Sequence, residues 1–202
     1  MAPIIIKEQV SRGIVRALAS QFTSAAQAIR ELVDNALDAG RGQSVSISIE
    51  IDRAGGRFVF DSEGGTGMGP AQLEAFLYWG TDLHGASTDI GHYGQGGKAA
   101  CSFLGSSLIL RSKPRGEDIF WQIHDEGWAA RSEAAEYPLE ATPLSKADEP
   151  MKSTPLDRGR VWIEILGLAP GRRLSPDALR KDLSLVYGRI IATGSVEEIR
   201  RD

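Results

Sequence analysis

The sequence predicts a mixed α/β (α+β) domain, and three stretches carry that expectation. Ala28 to Gly40, AIRELVDNALDAG, has the composition and periodicity of an amphipathic helix, with Gly40 and Gly42 as its stop signal. Ser44 to Ile51 alternates strictly: Val45, Ile47, Ile49 and Ile51 face one way, and Ser46, Ser48 and Glu50 face the other. That is the pattern of a half-buried strand. Ser106 to Arg111 and Ile119 to His124 flank a Pro114-Arg115-Gly116-Glu117 turn and read as the start of a meander.

Taken in order, Ile4 to Ile6 is a short β-branched run that reads as a terminal strand, a type that pairs with a sheet edge. Ser11 to Ser20 places Ile14, Val15 and Leu18 on one helical face. Phe22-Thr23-Ser24 breaks that helix, and Thr23 or Ser24 can cap the next. In that next helix Glu31, Asp34, Asn35 and Asp38 fall at i, i+3, i+4 and i+7, one stripe, while Ile29, Leu32, Val33, Ala36 and Leu37 form the other side. An acidic stripe is ordinarily a solvated face. This one holds three acids and no Lys or Arg, so it gains no i, i+4 pairing. Its Asn is a mediocre helix former as well. A helix that tolerates both is a candidate for using them. Glu31 to Asp38 spans about 10 Å along the axis, the reach of a phosphate tail with a metal.

Asp52 to Gly56 turns the alternating strand into a second, Arg57 to Phe60, which makes a hairpin. That strand runs into Asp61-Ser62-Glu63-Gly64-Gly65-Thr66-Gly67-Met68-Gly69-Pro70, dense in glycine and opened by acids. Glycine permits positive φ and lets a flat ligand lie against backbone. Pro70 suits the first turn of a helix, Ala71 to Trp79. Gly80 to Ile90 is a polar loop and a candidate lid. It leads into Gly91-His92-Tyr93-Gly94-Gln95-Gly96-Gly97-Lys98 and a helix, Ala99 to Leu104. Successive backbone N–H groups feeding a helix N-terminus beside a Lys make an anion site. The loop is neither a Walker A, since Ala99 follows Lys98, nor a dinucleotide fingerprint, since no strand leads into it. Gly127 to Glu133 reads as a third meander strand, and the stretch 136–158, with four prolines, as a long loop. Gly159 to Leu166 is a strand, and Ser175-Pro176 opens a final helix that runs to about Ile191.

Composition sets outer limits. With 202 residues, 42% hydrophobic and 25% charged, the chain reads as one domain with a good core. A net charge of −4 argues against a domain built mainly to grip nucleic acid. The single cysteine, Cys101, excludes an internal disulfide and sits among apolar neighbours as a small core residue. No apolar run reaches membrane-span length, and MAPIIIKEQ lacks a signal-peptide core, so the expected location is cytoplasmic, or nuclear in a eukaryote. The charged ending VEEIRRD suggests a piece of a longer protein.

The helix stripe, the acid–glycine loop and the glycine loop with Lys98 resemble, in this order and spacing, three boxes of the GHKL ATPases. That superfamily includes DNA gyrase B, the ATP-driven heat-shock chaperones, histidine kinases, MutL and the MORC proteins. ELVDNALDA, Glu31 to Ala39, resembles the N box; GGTGM, ending at Met68, the G1 box; and IGHYGQGGK, Ile90 to Lys98, the G2 box. The resemblance covers about Ser11 to Arg111 and is nearest in flavour to the MORC type. It implies the Bergerat fold, a two-layer sandwich with helices on one face of a mixed, mostly antiparallel sheet. It also implies Mg-dependent ATP binding and slow hydrolysis.

The roles it implies are specific. Glu31 is the general base for the attacking water. Asn35 supplies the metal-site oxygen to Mg²⁺, and one protein ligand suffices because Mg²⁺ keeps waters and phosphates. Asp38 lies on the ribose side or behind the metal, and Asp34 has no assigned role. The family places an Asp two residues before the first Gly of GxGM, where this chain has Glu63. Either Glu63 substitutes, or the loop carries two extra residues and Asp61 reads the adenine amine. Asp61 is the expected reader, because the apolar strand Phe58-Val59-Phe60 should end where the acid begins. Gly67 and Met68 line the base, and Gly65 is a nucleotide-binding residue of the same loop. Gly91, Tyr93, Gly94, Gln95, Gly96 and Gly97 form the phosphate loop, with Lys98 adding charge. Thr81 to Ile90 closes over ATP as a lid. The resemblance further implies an ATP-dependent homodimer, with segment 1–10 the expected place for strand exchange, acting as a clamp or switch. It also implies a downstream transducer or effector domain not evident in these residues, and no membrane partner. The alternatives are an ATP-binding regulatory module without turnover and a histidine-kinase-type phosphotransfer domain.

Overall fold

The structure, a computed structural model, describes residues 17, 19–77, 96–127, 139–144, 153–169, 175–192 and 196–197. Within them lie four helices and seven strands. The helices are α1 (Ala25–Gly40), α2 (Pro70–Leu77), α3 (Gly96–Leu104) and α4 (Pro176–Ala192). The strands are β1 (Val45–Asp52), β2 (Arg57–Gly65), β3 (Gly105–Lys113), β4 (Phe120–Asp125), β5 (Thr142–Leu144), β6 (Gly159–Leu168) and β7 (Val196–Glu197). They form one sheet in the order β5-β4-β3-β6-β2-β1-β7, antiparallel except for the β1–β7 pair.

Strand alternation sorts the sheet into two faces. Ile47, Ser62, Val161 and Ser112 fall in one lateral row across β1, β2, β6 and β3, and Ile49, Phe60, Ile163 and Leu110 fall in the next row on the same face. That face is apolar and joins one core with Ile29, Leu32 and Val33 of α1, Leu73 of α2, Ala100 and Leu104 of α3, and Leu179, Leu183 and Tyr187 of α4. All four helices therefore cover the same side, the two-layer α+β sandwich expected. Each fully buried Ile, Leu or Phe contributes about 1.5–3 kcal/mol. Cys101 is buried in this core, and burial pushes its thiol up to about 12, so it behaves as a small apolar residue. The opposite face carries a smaller cluster of Val59, Phe120 and Trp162, with Leu144 against it, set among charged side chains.

Local chemistry explains the boundaries. Ser24 caps α1 by accepting from the Gln27 N–H at 3.2 Å, and the Gln27 side chain accepts from the Thr23 N–H at 2.9 Å. The helix stops at Arg41, which takes the left-handed conformation and donates its N–H to the Asp38 carbonyl. Ser175 caps α4 through the Ala178 N–H.

Four expectations need correction. β2 does not end at Phe60 but continues to Gly65, because its Asp61-to-Glu63 stretch pairs on both sides, with β1 and with β6. The helix expected from Ala99 already includes Gly96, Gly97 and Lys98. The proline-rich stretch 136–158 contains β5, whose Pro143 is tolerated because it lies in an edge strand. The two-residue β7 beside β1 left no trace in the residue pattern. The expected strands at 4–6 and 127–133 and the lid 81–90 lie outside the described residues, apart from Gly127.

Candidate functional site

The acidic stripe of α1 meets the start of α3. A side chain at Gly96 would overlap the Glu31 carboxylate, and a Cβ at Gly97 would lie 3.1 Å from Asn35 Nδ2 and 3.1 Å from the Phe76 ring of α2. Glycine at both positions lets the first turn of α3 sit against the Glu31 and Asn35 side chains without displacing them. Glu31 and Asn35, one helical turn apart, thus lie against the first turn of α3. Lys98 follows in the same turn and is fully buried. Burial pushes its ammonium down to about 7.

The carboxylates of the stripe are not equivalent. Glu31 titrates above its ordinary range, first because it is partly buried, then because Asp34 and Asp38 add negative charge. Asp34 is also raised, by burial first, against the hydrogen bond from Tyr187. Tyr187 on α4 donates to Asp34 Oδ1 at 2.6 Å, and Arg30 on α1 pairs with Asp182 on α4 at 3.5 Å. The back of α1 is therefore fixed by α4. The sequence contained no signal for this role of Asp34, because its partner lies 153 residues away.

The glycine-rich turn after β2 is strapped from three directions. Met68 donates its N–H to Ser112 Oγ at 2.7 Å, and that hydroxyl donates to the Arg160 carbonyl at 2.9 Å. Arg115 donates from one guanidinium nitrogen to the Gly64 and Gly65 carbonyls at 2.7 and 3.0 Å. The buried Lys113 holds the neighbouring segment through the Pro155 and Arg158 carbonyls, 2.9 Å each. Gly67 has φ +64, and a side chain there would overlap the Lys113 carbonyl. Gly65 packs beneath α1, an added Cβ lying 3.1 Å from the Ala39 Cβ. Ser112, Lys113 and Arg115 are therefore residues that sequence reasoning missed; the polar cluster around Pro114 at a strand end was the available sign.

The two acids considered for reading the base are placed elsewhere. Asp61 and Glu63 sit on β2 with Val59, on the face away from all four helices. Arg160 grips Asp61 with two nitrogens, at 2.8 and 2.5 Å, and lies 3.5 Å from Glu63. Arg158 donates to Glu63 at 3.2 Å. Neither carboxylate reaches the helix side, which corrects the expected adenine-reading role of both. The cause is strand parity: Phe58 and Phe60 must enter the core, so Asp61 and Glu63 cannot. A register shift between Glu63 and Gly65, with Gly64 at φ +115, then turns the chain into the glycine loop. The polar side chain that β2 does turn toward the helices is Ser62, 7% exposed.

Gly96 and Gly97 meet Glu31 and Asn35, Gly65 meets Ala39 of α1, and Met68 packs against the helix-side core. Gly91, Tyr93, Gly94 and Gln95 lie outside the described residues. Among the described residues no group of three or more His, Cys, Asp or Glu side chains is placed to hold a metal. The residue types are compatible with Mg²⁺ held in another way: the Asn35 side-chain oxygen would supply one ligand, and phosphate oxygens and water would supply the rest.

Comparison with known proteins agrees with this geometry. The family model described as "Histidine kinase-, DNA gyrase B-, and HSP90-like ATPase" matches residues 23–155. The chain is 33% identical over 107 residues to the DNA mismatch repair protein MutL of Edwardsiella ictaluri, covering 50% of this chain and 16% of that protein. It is 35% identical over 118 residues to MutL of a Wolbachia species, covering 56% and 18%. It is 29% identical over 114 residues to the human MORC family CW-type zinc finger protein 1, covering 55% and 12%. The matched part spans less than a fifth of the length of these relatives.

Proposed function

This chain belongs to the histidine kinase-, DNA gyrase B- and HSP90-like ATPases, and on that premise we propose that it binds Mg-ATP where α1 meets α3 and hydrolyses it slowly. The observation that carries the reading is the seating of Gly96 and Gly97 against Glu31 and Asn35. In this reading the first-turn N–H groups of α3 bind the phosphates, which the helix dipole favours. Lys98, held near neutrality by burial, takes a proton when a phosphate arrives and adds a full positive charge. Glu31 holds the attacking water and accepts its proton; its raised affinity for protons makes it the stronger base. Asn35 would hold Mg²⁺, which when bound neutralises phosphate charge. Asp38 keeps its place at the far end of the stripe, toward the ribose, and Gly67 and Met68 line the base, with Gly65 a nucleotide-binding residue of the same loop.

The whole 1–202 segment acts as a single domain in this reading. ATP closes the lid 81–90 and drives a homodimer through segment 1–10, a clamp or switch coupled to a further domain. Hydrolysis by the wild type against Glu31→Ala tests the enzyme. Loss of about 10²–10⁴-fold in turnover with ATP binding kept is the expected result. Equal turnover in both would leave an ATP-binding regulatory module.

A further inference from the structure

Among the described residues, β2 turns no carboxylate toward the helix side. A nucleotide whose phosphates lie at α3 and whose metal lies at Asn35 occupies the helix side of the sheet, because α1 and α3 both cover that side. On that side β2 offers Ser62, in one lateral row with Ile47, Val161 and Ser112. Ser112 is occupied by Met68 and the Arg160 carbonyl. Ser62 is more than nine-tenths buried, and its hydroxyl makes no hydrogen bond with any described residue. The residue is largely covered while its hydroxyl is not sealed among the buried unsatisfied atoms, so that hydroxyl is open to a ligand on the helix side. The two acids that flank it in sequence are turned away and consumed by Arg158 and Arg160.

We infer that Ser62 reads the purine, and that the site therefore accepts guanine and adenine nucleotides with little discrimination. The inference rests on the nucleotide-binding reading above. A carboxylate only accepts hydrogen bonds; it suits the exocyclic amine of adenine and repels the exocyclic oxygen of guanine. A hydroxyl rotates to do either: it accepts from the amine or donates to the oxygen. A site with a fixed buried acceptor separates the two bases by orders of magnitude, and a site with a hydroxyl does not.

Calorimetric titration with non-hydrolysable ATP and GTP analogues, each with Mg²⁺, tests this on wild type, Ser62→Ala and the Asp61→Asn/Glu63→Gln double variant, with thermal melts reporting folding. Affinities for the two analogues within about tenfold in wild type support the inference. So does an about three- to tenfold loss for both analogues in Ser62→Ala. An unchanged ratio in the double variant, whose amides still accept from the arginines, also supports it. Ser62→Asp installs a carboxylate on the ligand side, so its expected effect is at least tenfold preference for the ATP analogue. A wild-type preference for ATP above about a hundredfold overturns the inference while leaving the nucleotide site standing. Absence of binding by both analogues at millimolar concentration overturns both readings together.

Discussion

Lys98 offers the sharpest quantitative test, because burial lowers its pKa so far. The side chain is fully buried, and desolvation alone pulls it from 10.5 to about 7. Between those values the unfolded chain binds a proton that native Lys98 does not, so native stability rises with pH across that window. Below about pH 7 the native lysine is also protonated and the cost is constant; above 10.5 neither state is charged and the cost vanishes. At 1.36 kcal/mol per unit, the cost is about 4 kcal/mol at pH 7 and about 2 kcal/mol at pH 9. Lys98→Met keeps the length and removes the titration. Urea unfolding of wild type and variant at pH 7, 8 and 9 should show the variant's advantage shrinking by about 2 kcal/mol from pH 7 to 9. Differences in methionine packing add a constant, so the pH dependence is the readout. An advantage that stays flat over this range would refute the reasoning and mean that Lys98 keeps its charge in the nucleotide-free protein.

Other outcomes follow from the same contacts. Gly96→Ala pushes the Glu31 carboxylate aside, so turnover should fall about 10²-fold with nucleotide affinity retained, as steady-state kinetics beside calorimetry would show. Arg160→Met leaves Asp61 and Glu63 facing each other on one strand face without their shared partner; chemical unfolding should show a loss of about 3 kcal/mol. Glu31 has a raised folded-state pKa, so its ionised form costs stability that is absent below the ordinary carboxylate range and appears as pH rises through the folded value. Glu31→Gln should therefore melt above wild type at pH 7, with the gain shrinking as pH falls toward 5.

The fold was legible wherever periodicity was strong. The α1 stripe, the β1 alternation and the Ser175-Pro176 start of α4 all appear with boundaries within a few residues. The helix-and-glycine constellation was legible too, because Glu31, Asn35, Gly96 and Gly97 lie in motifs that mark themselves. What failed was the acid–glycine turn. There Asp61 was read as a loop residue, since a carboxylate after Phe58-Val59-Phe60 looks like a strand ending. It instead sits mid-strand, tolerated because Arg160 arrives from a strand 99 positions later. Parity decides such a case, and parity is set by which phenylalanines enter the core, a tertiary fact. The same reason hid Tyr187 behind Asp34 and Ser112 beneath Met68: each is a single polar residue whose partner comes from a distant element. β7 was hidden because two residues carry no period.

The central claim, that a nucleotide sits where α1 meets α3, is tested most directly by calorimetric titration of a non-hydrolysable ATP analogue, with and without Mg²⁺, into wild type and Asn35→Ala. Binding that Mg²⁺ strengthens in wild type but not in Asn35→Ala is the result the geometry predicts. Binding indifferent to Asn35, or none at millimolar nucleotide, would contradict it.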